Sequence, residues 1–223
     1  MVIATGIFGR MIGIFGGTFD PIHIGHVRTA LDIFQDLALD EVRLIPCNVS
    51  PHRSAPLASG AQRLAMLQAA IQGEPGLRID DRELRRTAPS YTVDTLLSLR
   101  AELGDTPLCL MMGMDSFQAL NTWHRWREII TLAHIVVMTR PGGLPPAHGE
   151  VADLVEQHGV YDPARLRDTS AGHVLLRPVS PLDISASRIR TAVQAGKSAR
   201  YWVPDGVWEI IKKQGIYGSN HRF

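Results

Sequence analysis

Short apolar runs alternate along the chain with longer segments whose apolar residues recur at helical spacing. The run at 11–17, MIGIFGG, ends in glycines as a buried parallel strand does. From 24 to 39, Ala30, Ile33, Phe34 and Leu37 recur at i, i+3, i+4 and i+7, which predicts a helix. EVRLIPC at 41–47 reads as a second strand closed by Pro46. Leu64, Leu67 and Ile71 then form a stripe over 61–73, ended by Gly73 and Pro75. Further strands are predicted at 77–81, 107–113, 134–140 and 173–178, and further helices at 92–103 and 123–132. PLCLMMG at 107–113 is apolar at consecutive positions, the pattern of a central strand covered on both faces.

Strands separated by ten- to fifteen-residue helical patterns imply βαβ units. The expected fold is α/β: one doubly wound, Rossmann-like parallel sheet with a small C-terminal helical part. The polar segment 141–172 starts with PGGLPP and holds one predicted helix near 150–158, so it reads as a surface excursion or a flap. After Ile184, helices are expected at 186–195 and 204–214, each followed by a glycine (Gly196, Gly215) suited to a left-handed stop. The expected organisation is an extension at 1–10, a core at 11–183 and a helical part at 184–223.

Composition narrows the function classes. Lysine and arginine number 23 against 22 aspartate and glutamate, a net charge of +1 that argues against a nucleic-acid-binding surface. Cys47 and Cys109 are too few for a disulfide framework and read as buried thiols. No run approaches the ~18 apolar residues of a membrane span. The first ten residues lack the basic start and cleavage site of a signal peptide, so the cytoplasm is the expected compartment.

The segment with the most chemistry is GGTFDPIHIGH, residues 16–26, directly after the first strand. Ligands of open parallel sheets bind outside the carboxyl ends of the strands. Gly16 and Gly17 admit a phosphate close to the backbone. His23 and His26, three apart at a helix start, suit an anion clamp, because free N–H groups and the helix dipole converge there. The alternative is a glycine turn followed by two ordinary surface histidines. Other segments carry polar groups at comparable places. Pro51-His52-Arg53 puts a cation after the second strand. Ser90-Tyr91-Thr92-Val93-Asp94-Thr95 precedes a helix and reads either as a ligand site or as simple capping. Asp115, after Gly113, would hold ribose hydroxyls or cap a helix. Trp123 and Trp126, on one predicted helix, form a core stripe or offer one indole for stacking. Asp183 to Arg190 starts a helix with Ser185 as cap, where Ser187, Arg188 or Arg190 would bind phosphates or lie in solvent.

The motif His23-Ile24-Gly25-His26 resembles the HxGH signature of the nucleotidyltransferase superfamily, and the whole set in this order resembles the bacterial nicotinate-nucleotide adenylyltransferases, from Met11 to about Tyr217. Arg53 stands where lysine is common in that family and Ser187 where threonine is common. The resemblance implies transfer of AMP from ATP to nicotinate mononucleotide, giving deamido-NAD and pyrophosphate. It implies that His23, His26 and Arg53 are catalytic, with His26 nearest the transferring phosphoryl. Gly16, Gly17, Thr18, Phe19, Gly113, Asp115, Ile184, Ser185, Ser187 and Arg188 would line the ATP site. Ser90, Tyr91, Thr92 and Trp123 would take the acceptor, Trp123 stacking on its pyridine ring. Mg²⁺ would arrive with ATP, and no protein metal cage is expected. Phosphopantetheine adenylyltransferases and cytidylyltransferases share the histidine motif. The tryptophan pair and the 90–95 run suit a planar anionic heterocycle better than a pantetheine arm. A non-catalytic nucleotide-binding module is disfavoured by the intact histidines.

Overall fold

The computed structural model describes residues 9–48, 55–87, 89–140 and 143–218. Seven strands form one parallel sheet: β1 (Ile12–Gly17), β2 (Glu41–Pro46), β3 (Leu77–Ile79), β4 (Leu108–Gly113), β5 (His134–Thr139), β6 (Gly159–Val160) and β7 (Val174–Pro178). Their order is β3-β2-β1-β4-β5-β7-β6, so the winding reverses between β1 and β4. Among the described residues eight α-helices cover the faces: α1 (Ile24–Asp36), α2 (Gly60–Ala70), α3 (Thr92–Leu103), α4 (Met114–Gln118), α5 (Trp126–Leu132), α6 (Glu150–His158), α7 (Ala186–Gln194) and α8 (Asp205–Lys213). The doubly wound α/β expectation is met.

Alternation along the central strands explains their unbroken apolar runs. Leu108, Leu110 and Met112 face a layer formed by Val93, Leu96 and Leu99 of α3 with Phe117, Ile129 and Val151. Cys109 and Met111 face the opposite layer, built on Ile33 of α1, Met66 and Leu67 of α2, Ile189 and Val193 of α7, and Val207 and Ile211 of α8. Each such side chain contributes roughly 1.5–3 kcal/mol on burial. The C-terminal helices therefore share the core of the sheet. At Gly206 an added Cβ would stand 3.1 Å from the Ala69 Cβ, a measure of how closely α8 approaches α2.

Local chemistry sets the helix ends. Ser59 and Gln62 form a reciprocal capping box on α2, and Ser185 caps α7. Gly196 and Gly215 adopt φ 69° and 60°, the left-handed stops expected of them.

Three expectations need correction. The first helix stops at Asp36, and Ala38 takes a positive φ of 48°. The buried stripe of α2 is Arg63, Met66, Leu67 and Ala70, not Leu64, Leu67 and Ile71, because a guanidinium occupies a core position. The segment 141–172 is no flap where it is described: β6 pairs with β7 through Gly159↔Val174 and Val160↔Leu175, and Val151, Leu154 and Leu166 are buried. Its polarity misleads because few of its described residues reach the core, chiefly one face of α6, Val160 and Leu166.

Candidate active site

β1 pairs with β2 as far as Gly17↔Pro46, but its pairing with β4 stops at Ile14↔Leu110. The sheet thus splits at its carboxyl edge, at the topological switch point where parallel sheets bind ligands. A Cβ added at Gly16 or at Gly113 would meet nothing within 4 Å, so both glycines border open space. Gly17 is constrained differently. A Cβ there would lie 3.0 Å from the Phe19 ring, which is buried beneath the turn. Phe19, at φ 49°, thus offers the crevice only its backbone. Thr18 is held through its carbonyl by Arg63 Nη1 at 2.8 Å, and the same nitrogen donates to the Cys47 carbonyl at 2.7 Å. One buried guanidinium fastens the ends of β1 and β2 from below.

His23 caps α1, its Nδ1 accepting from the His26 backbone N–H at 3.3 Å. With Nδ1 an acceptor, the neutral ring carries its proton on Nε2. Burial, reinforced by the charge of Arg140, lowers the His23 pKa to about 4. His23 is therefore a neutral N–H donor at pH 7. The two imidazoles stack at 3.7 Å and 23°. The edges of Phe15 and Phe19, at 6.1 and 5.1 Å, hold the more open His26 ring.

The second wall is the start of α7. Ser185 Oγ accepts from Arg188 N at 3.3 Å and lies 3.2 Å from Ser187 Oγ. Arg188 is stacked over Trp202 at 4.8 Å. The Trp202 carbonyl accepts from Ile24 N at 2.9 Å, and Ile184 approaches Gly25, so the starts of α1 and α7 are neighbours. A groove of about 440 Å³ runs from Ser187 and Arg188 along α7 to Thr191 and Lys197. Across the crevice, Asp115 is exposed in the first turn of α4; Gly113, not Asp115, is that helix's cap. Arg53 and its neighbours Pro51 and His52 lie outside the described residues.

The 90–95 run does not cap α3. Tyr91 occupies the cap position and makes no side-chain cap hydrogen bond. Ser90 instead accepts from Asn48 N at 3.1 Å, while Thr95 is buried and donates to Glu83 at 2.6 Å. Tyr91 faces His124 with ring centroids 4.4 Å apart. Trp123 and Trp126 do not share a helix. Trp123 ends the 120–122 turn in an extended conformation, Arg125 is left-handed at φ 52°, and Trp126 opens α5. Both indoles are half-buried against the α3 layer.

Sequence reasoning passed over Asp20, Arg63, His124 and Arg140. Asp20 sits inside the motif, and Arg140 two positions beyond Met138, the register partner of Gly113, so both were within reach. Arg63 had no local signal.

Among the described residues no cluster of three or more His, Cys, Asp or Glu is placed to hold a metal ion, and no helix is long and apolar enough to cross a membrane. Residues 14–192 match the cytidylyltransferase-like family. A protein of Aeromonas salmonicida named a probable nicotinate-nucleotide adenylyltransferase is 48% identical over 209 residues, covering 94% of this chain and 98% of its own length. One of the same name from Pseudomonas aeruginosa is 44% identical over 214 residues, covering 96% and 100%. In fold, the chain is similar to the Plasmodium falciparum nicotinic acid mononucleotide adenylyltransferase complexed with NaAD, at TM-score 0.71 and 17% identity over 95% of this chain and 98% of that one. A sheet split at its switch point, a histidine pair at the mouth and near-full-length likeness at this level of identity lead to one assignment: the chain belongs to the cytidylyltransferase-like family and, within it, to the nicotinate-nucleotide adenylyltransferases.

Proposed function

We propose that the split between β1 and β4 is where ATP and nicotinate mononucleotide meet. The chain transfers AMP from ATP to nicotinate mononucleotide, giving deamido-NAD and pyrophosphate. An oxygen of the acceptor's phosphate forms a bond to the α-phosphorus of ATP as the bond to the bridging oxygen breaks, and that electron pair leaves with pyrophosphate. Both reacting groups belong to substrates, so the protein's part is positioning and charge stabilisation.

His23 donates from Nε2 to the triphosphate, and His26, held in one orientation by three rings, lies nearest the transferring phosphoryl. Gly16, Gly17, Thr18 and Phe19 present backbone to the phosphates. Ile184, Ser185, Ser187 and Arg188 at the α7 start take the leaving β and γ groups, so the 184–223 part completes the ATP site. Arg53 neutralises charge on the phosphates, and Asp115 with the Gly113 backbone holds the ribose. Mg²⁺ enters bound to the ATP phosphates, an ion that keeps its waters and seldom needs a protein cage.

Trp123 stacks on the pyridine ring, and the uncapped first turn of α3, beside Ser90, Tyr91 and Thr92, receives its carboxylate. An amide at that place would turn an NH₂ toward N–H donors. Each buried donor so stranded costs roughly 1–3 kcal/mol, or about 5- to 150-fold in kcat/KM.

The observation that carries this reading is the parting of β1 from β4 beyond Ile14, with the starts of α1 and α7 adjoining it. Pyrophosphate release with ATP and each candidate acceptor tests it. Nicotinate mononucleotide should be preferred over its amide and over phosphopantetheine. Faster turnover of either alternative would overturn the assignment of the acceptor.

A further inference from the structure

We propose that Asp20 is a positioning residue for nucleotidyl transfer, setting the separation of the two helix starts between which the triphosphate lies. The inference rests on the reading of the crevice given above.

Asp20 is 4% exposed and stands three residues before His23. Its Oδ2 accepts from Leu57 N at 2.8 Å. Its Oδ1 accepts from Ala58 N at 3.0 Å and from the Tyr217 hydroxyl at 2.7 Å. Its backbone carbonyl accepts from Arg190 Nη1 at 2.8 Å, and that guanidinium also stands 3.9 Å from Oδ2. Three stretches of chain distant in sequence thus converge on one residue. Leu57 and Ala58 lead from the 49–54 segment, which carries Arg53, into α2. Arg190 lies on α7 two residues past Arg188. Tyr217 is in the C-terminal turn and packs against the same core as α7 and α8.

A buried carboxylate that only filled space would be replaceable by an apolar isostere at little cost. Here it accepts three hydrogen bonds in fixed directions, two from the adjacent N–H groups of Leu57 and Ala58 and one from the C-terminal turn at Tyr217. The Tyr217 phenol is kept protonated by burial and by this contact, so it remains a donor at every working pH. In-line transfer is sensitive to such geometry, because a 1 Å misplacement of reacting groups costs about 100-fold in rate. Asp20 touches no substrate in this scheme; it acts through the loop that ends in His23 and through the helix capped by Ser185.

The test is a double-mutant cycle of Tyr217→Phe and Asp20→Asn, read by pyrophosphate release well below each variant's melting midpoint. Tyr217→Phe should lower kcat about 5- to 10-fold, and Asp20→Asn about 100-fold, each with the KM for nicotinate mononucleotide within two-fold of the parent. An asparagine oxygen still accepts from the Tyr217 hydroxyl while its NH₂ faces the Leu57 N–H, so the double variant should be slower than Asp20→Asn alone by about the factor that Tyr217→Phe costs by itself. A kcat within two-fold of the parent in both variants, with only the melting midpoint lowered, would make Asp20 merely structural and overturn the proposal. If Asp20→Asn does not fold, the kcat of Tyr217→Phe decides by itself. A parent chain that releases no pyrophosphate from ATP and nicotinate mononucleotide would sink the reading of the crevice and this role with it, an outcome distinct from an active parent with unaffected variants.

Discussion

Acid should destabilise this fold through His134, at the end of the sheet opposite the crevice. His134 opens β5 and is fully buried. Its Nε2 donates to the Thr169 carbonyl at 3.0 Å, while its Nδ1 accepts from His173 N at 3.2 Å. Both nitrogens are committed, so a second proton at Nδ1 would face an N–H donor. Burial lowers its pKa from 6.5 to about 4, with the charges of His173 and Arg100 adding to the shift. Because the folded pKa lies below the unfolded one, the neutral ring favours the folded state. That stability is fully present above pH 6.5 and is lost as pH falls from 6.5 toward 4. A shift of this size corresponds to roughly 3 kcal/mol when fully expressed, of which about 2 kcal/mol should be gone by pH 5. His23, lowered to the same range, titrates in the same window. A non-titrating variant separates the two. Urea unfolding of the parent and of His134→Gln should be compared at pH 7.5 and pH 5. The variant should be less stable at pH 7.5, yet lose about 2 kcal/mol less than the parent on acidification. Parallel losses in both proteins would refute the role assigned to His134.

Other expectations concern the crevice and its frame. Gly113→Ala, at φ −71° with open space beyond the new methyl, should leave the melting midpoint unchanged while raising the KM for ATP. Trp123→Ala should raise the acceptor KM about 5- to 150-fold, as expected for loss of one ring stack, with the KM for ATP little changed. His26→Ala should cut kcat about 100-fold, whereas near-normal turnover would remove it from the phosphoryl site. Arg100 donates to the carbonyls of Leu132, Gly104, Thr106 and Ser170 at 2.7–2.8 Å, so Arg100→Met should cost about 3 kcal/mol or more in denaturant unfolding.

Much of this architecture is written in local pattern. The apolar runs that become β1, β4 and β5 are covered on both faces, and their periodicity needs nothing distant to be read. The glycine-rich turn and the two histidines declare themselves through the glycines, the proline and the strand-to-helix context together. What escaped depends on contacts far apart in the chain. Arg63 looks like a solvated helix residue until its carbonyl partners, 16 and 45 positions away, are in place. The three donors to the Asp20 side chain are 37, 38 and 197 positions away. Trp123 and Trp126 sit at a helical interval, but Arg125 between them is left-handed, a conformation that no local preference of arginine announces. The two-residue strand β6 is too short to show any period.

The two halves of the crevice are built on opposite sides of the sheet. Phe15, Phe19, α1 and α7 belong to one hydrophobic layer, and Tyr91, Trp123, α3 and α5 to the other. If the roles proposed for them hold, descent with modification can redraw the half near Trp123 through substitutions there while the half near His23 and His26 keeps its frame. On that reading, new acceptor chemistries are open to such a scaffold at little risk to its grip on the nucleotide donor.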